Sequence, residues 1–200
     1  MIQPQALIRR RLPPKERFAQ LLGCAISVFA RRGIGEARHA EIAEAAGVAV
    51  STVFVYFPTR EALVNTVLEE VRKAILEMAE VHHRETKPED QILKDHIQAF
   101  IRFSEEEQDL ARVWMDWSTS IRDNIWPVYV QLQEDIVEII SGTIESGKLN
   151  GTINNHMQAP ELARLMVGSA HMLASMQFLA RSKTEIYAFA DTLHKLLIGA

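Results

Sequence analysis

The sequence predicts an all-α protein with two parts, a small N-terminal helical unit and a larger helical body. Apolar residues recur at helical spacing along most of the chain, and Phe18, Leu21, Ala25 and Phe29 belong to one such stripe. Proline, glycine and short polar segments interrupt the periodicity where separate helices would begin and end. With 200 residues, 48% of them hydrophobic, the chain can bury one or two sizeable cores.

These interruptions set the expected limits of each helix. Pro13 and Pro14 precede the first helix, because proline is tolerated at a helix start, and Gly33 ends it. Thr59 follows a proline and is expected to cap a long fourth helix. The expected helices are 15–32, 39–46, a short helix from about Ser51 to Tyr56, then 59–82, 89–105, 107–121, 125–147, 159–181 and 183–198, with a loop from Gly147 to His156.

Residues 39–57 have the pattern of a helix-turn-helix that enters the DNA major groove. Ala43 is small where the two helices would cross, Gly47 suits the turn, and Val53 is a β-branched residue facing the angle between the helices. Ser51 and Thr52 stand at the start of the second helix, where their hydroxyls can cap free amides or contact phosphate. Two ordinary core helices with a chance glycine between them are the alternative.

The charge of the chain is asymmetric. Residues 1–60 contain nine Lys or Arg against four Asp or Glu, although the whole chain has a net charge of −4. This asymmetry indicates a polyanion partner for the N-terminal end. We predict an arm that places Arg9-Arg10-Arg11 in a minor groove, and phosphate contacts from His39, Tyr56 and Arg60. A solvated basic tail, and a histidine without a role at a helix start, are the alternatives.

Several classes of protein are not expected. The single Cys24 excludes an internal disulfide and suits a reducing cytoplasm, and we find neither a signal peptide nor an apolar run long enough for a membrane span. The motifs of nucleotide-binding loops, serine hydrolases and zinc proteases do not occur. His82 and His83 are adjacent, so on a helix they point about 100° apart and do not face one metal. We therefore expect no enzyme activity, no cofactor and no metal site.

Aromatic and methionine residues in the body can line a pocket between helices for a small apolar or amphipathic effector. The predicted lining includes Phe100, Trp114, Trp117, Val137, Met166 and Ala170. Plain core packing is the alternative for each of these residues. The long fourth helix starts in the basic unit and ends in the acidic body, so we expect it to transmit the effect of a ligand. The boundary between the units is placed at Pro58, giving 1–58 for the arm and DNA-binding domain and 59–200 for the regulatory and dimerisation domain.

The last two predicted helices are apolar enough to pair with their copies in a four-helix dimer interface. A small-residue segment lies in the middle of the first of them, where another helix can approach closely. The predicted interface residues are Leu165, Gly168, Ser169, Met172, Phe189 and Leu193. An intramolecular core is the alternative.

Three stretches resemble TetR-family transcriptional regulators: Phe29-Ala-Arg-Arg-Gly33, Glu41-Ile-Ala-Glu-Ala-Ala-Gly-Val48 and Val53-Phe-Val-Tyr-Phe-Pro-Thr-Arg-Glu-Ala-Leu63. The segments Ala30-Arg-Arg-Gly-Ile-Gly35 and Val113-Trp114 are similar to the quorum-sensing master regulators of vibrios, the LuxR/HapR branch. The resemblance implies a homodimer, a helical body with a pocket and near-palindromic operators. It also implies that Arg9 and Arg11 contact the minor groove and that Ser51, Thr52 and Tyr56 lie at the recognition helix.

Three positions depart from that branch. Val55 replaces the usual Asn, and valine can only touch a thymine methyl where asparagine can pair with a base edge. Gln133 and Ala170, which we also place in the pocket, stand where the branch often has Asn and Cys, so its ligand cannot be transferred. The sequence thus predicts a dimeric, sequence-specific regulator, either repressor or activator. A helical ligand carrier or enzyme with a vestigial helix-turn-helix, and a constitutive architectural DNA binder, are the alternatives.

Overall fold

The computed structural model describes residues 12–121 and 123–200 and confirms the all-α class. Within these residues there are nine helices: α1 (Pro14–Arg32), α2 (His39–Ala46), α3 (Val50–Tyr56), α4 (Arg60–His83), α5 (Glu89–Glu106), α6 (Gln108–Trp117), α7 (Trp126–Asn150), α8 (Ala159–Phe178) and α9 (Lys183–Ile198). Thr59 caps α4 as predicted, since its hydroxyl accepts from the amide of Ala62 at 3.0 Å. None of the helices in the described ranges combines the length and hydropathy needed to span a bilayer.

Three predicted helix limits were wrong, and one of them is the end of α8, which lies at Phe178 and not at residue 181. The loop expected from Gly147 does not begin there, because α7 continues to Asn150 and ends at Gly151, whose φ is +78°. Gly147 serves close packing: a Cβ at this position would lie 2.6 Å from Cδ1 of Ile153 and 2.9 Å from Cβ of Glu89.

Helix α6, by contrast, ends at Trp117, before the expected limit at residue 121. The hydroxyl of Ser118 donates to the carbonyl of Met115 at 2.6 Å, and that of Thr119 donates to the carbonyl of Asp116 at 2.8 Å. Such local bonds compete with continuation of a helix, and they favour a turn here.

Helices α1 to α3 pack around a small apolar core. The buried side of α4 joins this core to that of the C-terminal helical body. The inward residues of this core are almost fully buried: Leu21, Ala25, Phe29, Ile42, Ala43, Val53, Phe57 and Leu63. Farther along α4, Val71 and Ile75 belong to the same continuous apolar cluster. In the body, α5 contacts α4, α6, α7, α8 and α9, so it lies at the centre of the helices that enclose the pocket described below.

Candidate nucleic-acid interface and pocket

The turn between α2 and α3 has the predicted geometry. Gly47 has φ +63° and ψ +38°, a left-handed conformation that a residue without Cβ adopts readily, and its amide donates to carbonyls of the last turn of α2. This turn directs Val53 and Phe57 inward, with exposed fractions of 0% and 1%. Val55 faces solvent with 78% of its surface exposed. The inward packing of Val53 therefore follows the prediction, and Phe57 packs inward with it.

The outward face of α3 carries the hydroxyls predicted to contact DNA. Helix α3 starts after Ala49 without a side-chain cap, so Ser51 and Thr52 are not used for capping. Ser51, Thr52, Val55 and Tyr56 line a shallow surface groove together with Leu12, Arg17 and Val48. The groove combines hydroxyls, one arginine and apolar side chains, which suits a sugar-phosphate edge beside a base pair.

His39 corrects the sequence-based expectation. Its Nε2 lies 2.8 Å from the carbonyl oxygen of Phe57, and only 8% of the residue is exposed. Its ring stacks on the ring of Phe54 with centroids 4.3 Å apart. The imidazole therefore joins the start of α2 to the end of α3, and Nε2 is engaged within the protein. No local pattern could reveal this contact.

Arg60 also has a partner within the protein. Its Nη2 donates to the carbonyls of Ile34 and Gly35 at 2.6 and 2.7 Å, so the guanidinium stabilises the turn after α1. A phosphate contact through its remaining N–H groups stays a prediction. Arg9 and Arg11 lie outside the described residues.

A pocket with a cavity volume of about 40 Å³ lies among α4, α5, α6, α7, α8 and α9 and is partly open to solvent. Five of the seven predicted lining residues meet there: Phe100, Trp114, Gln133, Met166 and Ala170. Because they come from four helices, tertiary packing alone brings them together.

Trp117 and Val137 do not line this pocket, which corrects the prediction. Trp117 is fully buried, and its Nε1 donates to the carbonyl of Ile125 at 3.0 Å. On α7 the pocket face carries Gln133 and Ile136. Val137 follows Ile136 directly, so it points about 100° away and lines a surface depression beside Glu138.

A partly buried polar chain of three side chains, which no sequence pattern predicted, reaches the pocket. Nδ1 of His83 lies 2.6 Å from the hydroxyl of Thr143, and its Nε2 lies 2.8 Å from Nδ1 of His96, which lines the pocket. Burial, followed by the charge of neighbouring histidines, lowers the pKa of His96 to about 3 and that of His83 to about 4. Both rings are therefore neutral at neutral pH. The only signal in the sequence was a histidine one turn before Phe100 on an apolar helix face.

A second polar chain lies on the other side of the pocket. Nε2 of Gln133 donates to the hydroxyl oxygen of Tyr129 at 2.9 Å, and this hydroxyl lies 3.0 Å from Nε2 of His171. Burial raises the pKa of Tyr129 to about 12 and lowers that of His171. The ring of His171 packs 4.2 Å from the ring of Trp114.

Helix α6 connects the pocket with α1. The carboxylate of Asp116 accepts from the amide of Ile34 at 2.7 Å, and that of Asp109 accepts from the hydroxyl of Ser27 at 2.5 Å. Trp114 of the same helix lines the pocket. The sequence pointed to the fourth helix as the link between the units, and α6 is a second one.

His82, Glu85 and Asp95 place possible metal ligands within 4.8 Å of one another. The ammonium of Lys87 already lies between the carboxylates, 2.6 Å from Glu85 and 2.8 Å from Asp95. A cation would have to displace this lysine.

Comparison with known proteins gives the family. Residues 21–67 match the model of bacterial regulatory proteins, tetR family. Over 184 residues the chain is 33% identical to the HTH-type transcriptional regulator LuxR of Vibrio harveyi, an alignment that covers 89% of this chain and 87% of that protein. The chain belongs to the TetR family of bacterial regulatory proteins. The predicted resemblance is confirmed, and this TetR-family chain is a transcriptional regulator with a helix-turn-helix DNA-binding unit.

Solved structures share the fold of this TetR-family chain. The TetR-like transcriptional regulator from Rhodococcus sp. RHA1 matches with a TM-score of 0.78 at 18% identity, over 94% of this chain and 96% of that one. The transcriptional regulator FadR from Bacillus subtilis, solved in complex with stearoyl-CoA, matches with a TM-score of 0.75 at 19% identity, over 90% of this chain and 97% of that one.

The predicted dimer residues of this TetR-family chain divide into three groups by their exposure. Leu165 and Met172 are 39% and 53% exposed, and a Cβ added at Gly168 would meet no atom within 4 Å, so these residues form an open stripe on α8. Ser169 and Phe189 are partly exposed. Leu193 corrects the prediction, because it is buried within the chain and lines the pocket. Tyr187 and Leu196 are further exposed apolar residues of α9.

Proposed function

We propose that this protein regulates transcription by binding near-palindromic operators as a homodimer, and that a small, mostly apolar molecule modulates this binding. The observation that carries the proposal is the outward face of α3, where Ser51 and Val55 are exposed while Val53 and Phe57 anchor the helix. A vestigial helix-turn-helix retained for packing, as in a ligand carrier or an enzyme, does not explain the excess of Lys and Arg in residues 1–60.

In this proposal residues 1–58 form the DNA-binding domain, and residues 59–200 form the domain for regulation and dimerisation. Arg9 and Arg11 would lie in the minor groove, while Ser51, Thr52 and Tyr56 contact the backbone beside the major groove. The open stripe of Leu165, Gly168 and Met172 supports a dimer through α8 and α9. The likeness to LuxR supports a role in quorum sensing.

The pocket supports control by a ligand. One structural neighbour holds stearoyl-CoA, so this fold accommodates small molecules. In this chain α4 and α6 both line the pocket and both contact the DNA-binding unit. A ligand changes operator affinity only if it prefers one arrangement of the two DNA-binding units, which must meet successive grooves about 34 Å apart. Operator DNA must then change ligand affinity by the same factor.

Selection of bound sequences from a random DNA pool tests the proposal. The wild type should select a near-palindrome with thymine at a position that Val55 reaches, because the valine methyls contact the thymine methyl. Val55→Asn should shift that position towards adenine, with which asparagine forms two hydrogen bonds. Val81→Asn replaces a valine that is also exposed but lies on α4, and it should leave the selected sequence unchanged.

Two results would contradict DNA binding of this kind. One is an identical selected sequence for the wild type and Val55→Asn. The other is an affinity for the selected operator that does not fall as salt rises, because phosphate contacts release counterions and must weaken with salt.

A further inference from the structure

The polar groups of the pocket restrict the chemistry of its ligand. All but three of the side chains that line it are apolar, and the three polar ones are His96, Trp114 and Gln133. Within the described residues its lining includes no Asp, Glu, Lys or Arg. A charged group on a ligand would lose its hydration there without gaining a counter-charge. The lining therefore favours an uncharged molecule.

Trp114 has an unused hydrogen-bond donor. Its Nε1 is buried and has no acceptor within the described part of the chain, whereas Nε1 of Trp117 is bonded to a carbonyl. The indole packs against the ring of Phe100, with centroids 5.5 Å apart, and against that of His171, with centroids 4.2 Å apart. It cannot turn towards another acceptor without disturbing both contacts. A buried donor without a partner is unfavourable, and a ligand that brings an acceptor removes this cost.

The other two polar groups each have one partner within the chain. The amide nitrogen of Gln133 donates to Tyr129. Nδ1 of His96 pairs with His83, so Nε2 is the free nitrogen of its ring. If the hydroxyl of Thr143 donates to Nδ1 of His83, then Nε2 of His83 donates to Nδ1 of His96, and Nε2 of His96 carries a proton and is a donor. If both hydrogen bonds run in the opposite direction, Nε2 of His96 is an acceptor. His96 can therefore adapt to a ligand, and Trp114 cannot, because indole only donates.

We propose that the pocket selects an uncharged, mainly apolar molecule with one hydrogen-bond acceptor, such as a ketone oxygen, that bonds to Nε1 of Trp114. The inference rests on the proposed role of this pocket as the effector site and names the chemistry of the effector. Solvent does not reach Nε1 in the ligand-free chain, so the acceptor reaches it only as the ligand widens the space beside α6. That movement acts on the helix whose Asp116 contacts Ile34.

Three probes with the same ring test the proposal: acetophenone has a ketone, ethylbenzene replaces it with CH₂, and benzoate carries a charge. Binding is followed in ¹⁵N-labelled full-length protein without DNA, through the indole N–H signals of the three tryptophans. Trp114→Phe identifies the signal of Trp114. Acetophenone should move this signal downfield and saturably, and should bind about two- to tenfold more tightly than ethylbenzene, the contribution of one neutral hydrogen bond. Benzoate should not move it.

Matched variants separate the hydrogen bond from the packing of the ring. Trp114→Phe keeps an aromatic side chain without the N–H, so acetophenone and ethylbenzene should bind it equally. Trp126→Phe, at a residue that packs on Tyr129 outside the pocket lining, should retain the preference for acetophenone.

The proposal is overturned if the wild type binds ethylbenzene as tightly as acetophenone, or if benzoate binds best. It is also overturned if none of the three probes moves the Trp114 signal at any concentration up to the solubility limit of that probe. Because the assay contains no DNA, its outcome is independent of operator binding. If the probes bind as expected but leave operator affinity unchanged, the effector role fails and the ligand chemistry stands.

Discussion

Acidification from pH 7.5 to pH 5 should destabilise this protein through His83 and His96. Burial, and secondarily the charge of neighbouring histidines, lowers their pKa values from 6.5 to about 4 and about 3. At pH 5 both rings stay neutral in the folded chain, whereas in the unfolded chain they take up protons. The unfolded state therefore binds more protons, and the free energy of unfolding falls as pH falls.

The size of this loss in the free energy of unfolding depends mainly on how strongly the histidines of the unfolded chain are protonated at pH 5. Because pH 5 lies about 1.5 units below the unfolded pKa, fully buried His96 should contribute a loss of about 2 kcal/mol. His83 is partly exposed and should contribute somewhat less, which makes the combined loss about 3 to 4 kcal/mol. The loss begins near the unfolded pKa of 6.5 and is complete only below the folded pKa of each ring.

Urea unfolding at pH 7.5, 6.5 and 5, at one protein concentration, measures this loss. His96→Leu should reduce the difference between pH 7.5 and pH 5 by about 2 kcal/mol, whatever its effect on stability at pH 7.5. His156→Gln, at an exposed position, should leave the difference unchanged. If His96→Leu lost as much stability on acidification as the wild type, the buried neutral pair would not be the cause.

Three further substitutions test other parts of the structure. Gly168→Leu should convert a dimer into a monomer, as measured by sedimentation. Gly142→Leu is the control, because this exposed glycine of α7 also has no atom within 4 Å of an added Cβ, and it should leave the dimer intact. A dimer that survives Gly168→Leu would place the interface elsewhere. Gly147→Ala should lower the free energy of unfolding by about 1 to 3 kcal/mol, because its Cβ would overlap Ile153, and Gly142→Ala is the control in the same helix. Asp116→Ala leaves the amide of Ile34 without its acceptor, so it should cost about 1 to 3 kcal/mol in urea unfolding, and an unchanged midpoint would argue against that bond.

Much of the fold could be predicted from the sequence because it depends on neighbours along the chain. Apolar residues at helical spacing placed α1, and the combination of Ala43, Gly47 and Val53 placed the helix-turn-helix, since each requirement acts within a few residues. The limits of α9 were also correct, because Ser182 and Glu185 form a capping box at its start and Gly199 ends it.

Tertiary structure decided what the polar and ambiguous residues do. His39 had the position of a phosphate ligand, but the carbonyl of Phe57 lies within its reach once α1 to α3 pack together. Arg60 bonds to the carbonyl of Ile34 in the same way, and its phosphate contact stays a prediction. The sequence suggested that Gly147 begins a loop, but in the structure it is a helical residue that packs closely against Ile153. His83 lies sixty residues from Thr143, and no local pattern signals such a hydrogen bond. A helical repeat determines which side of a helix is buried, but the partner of a buried polar atom depends on which other helix packs there.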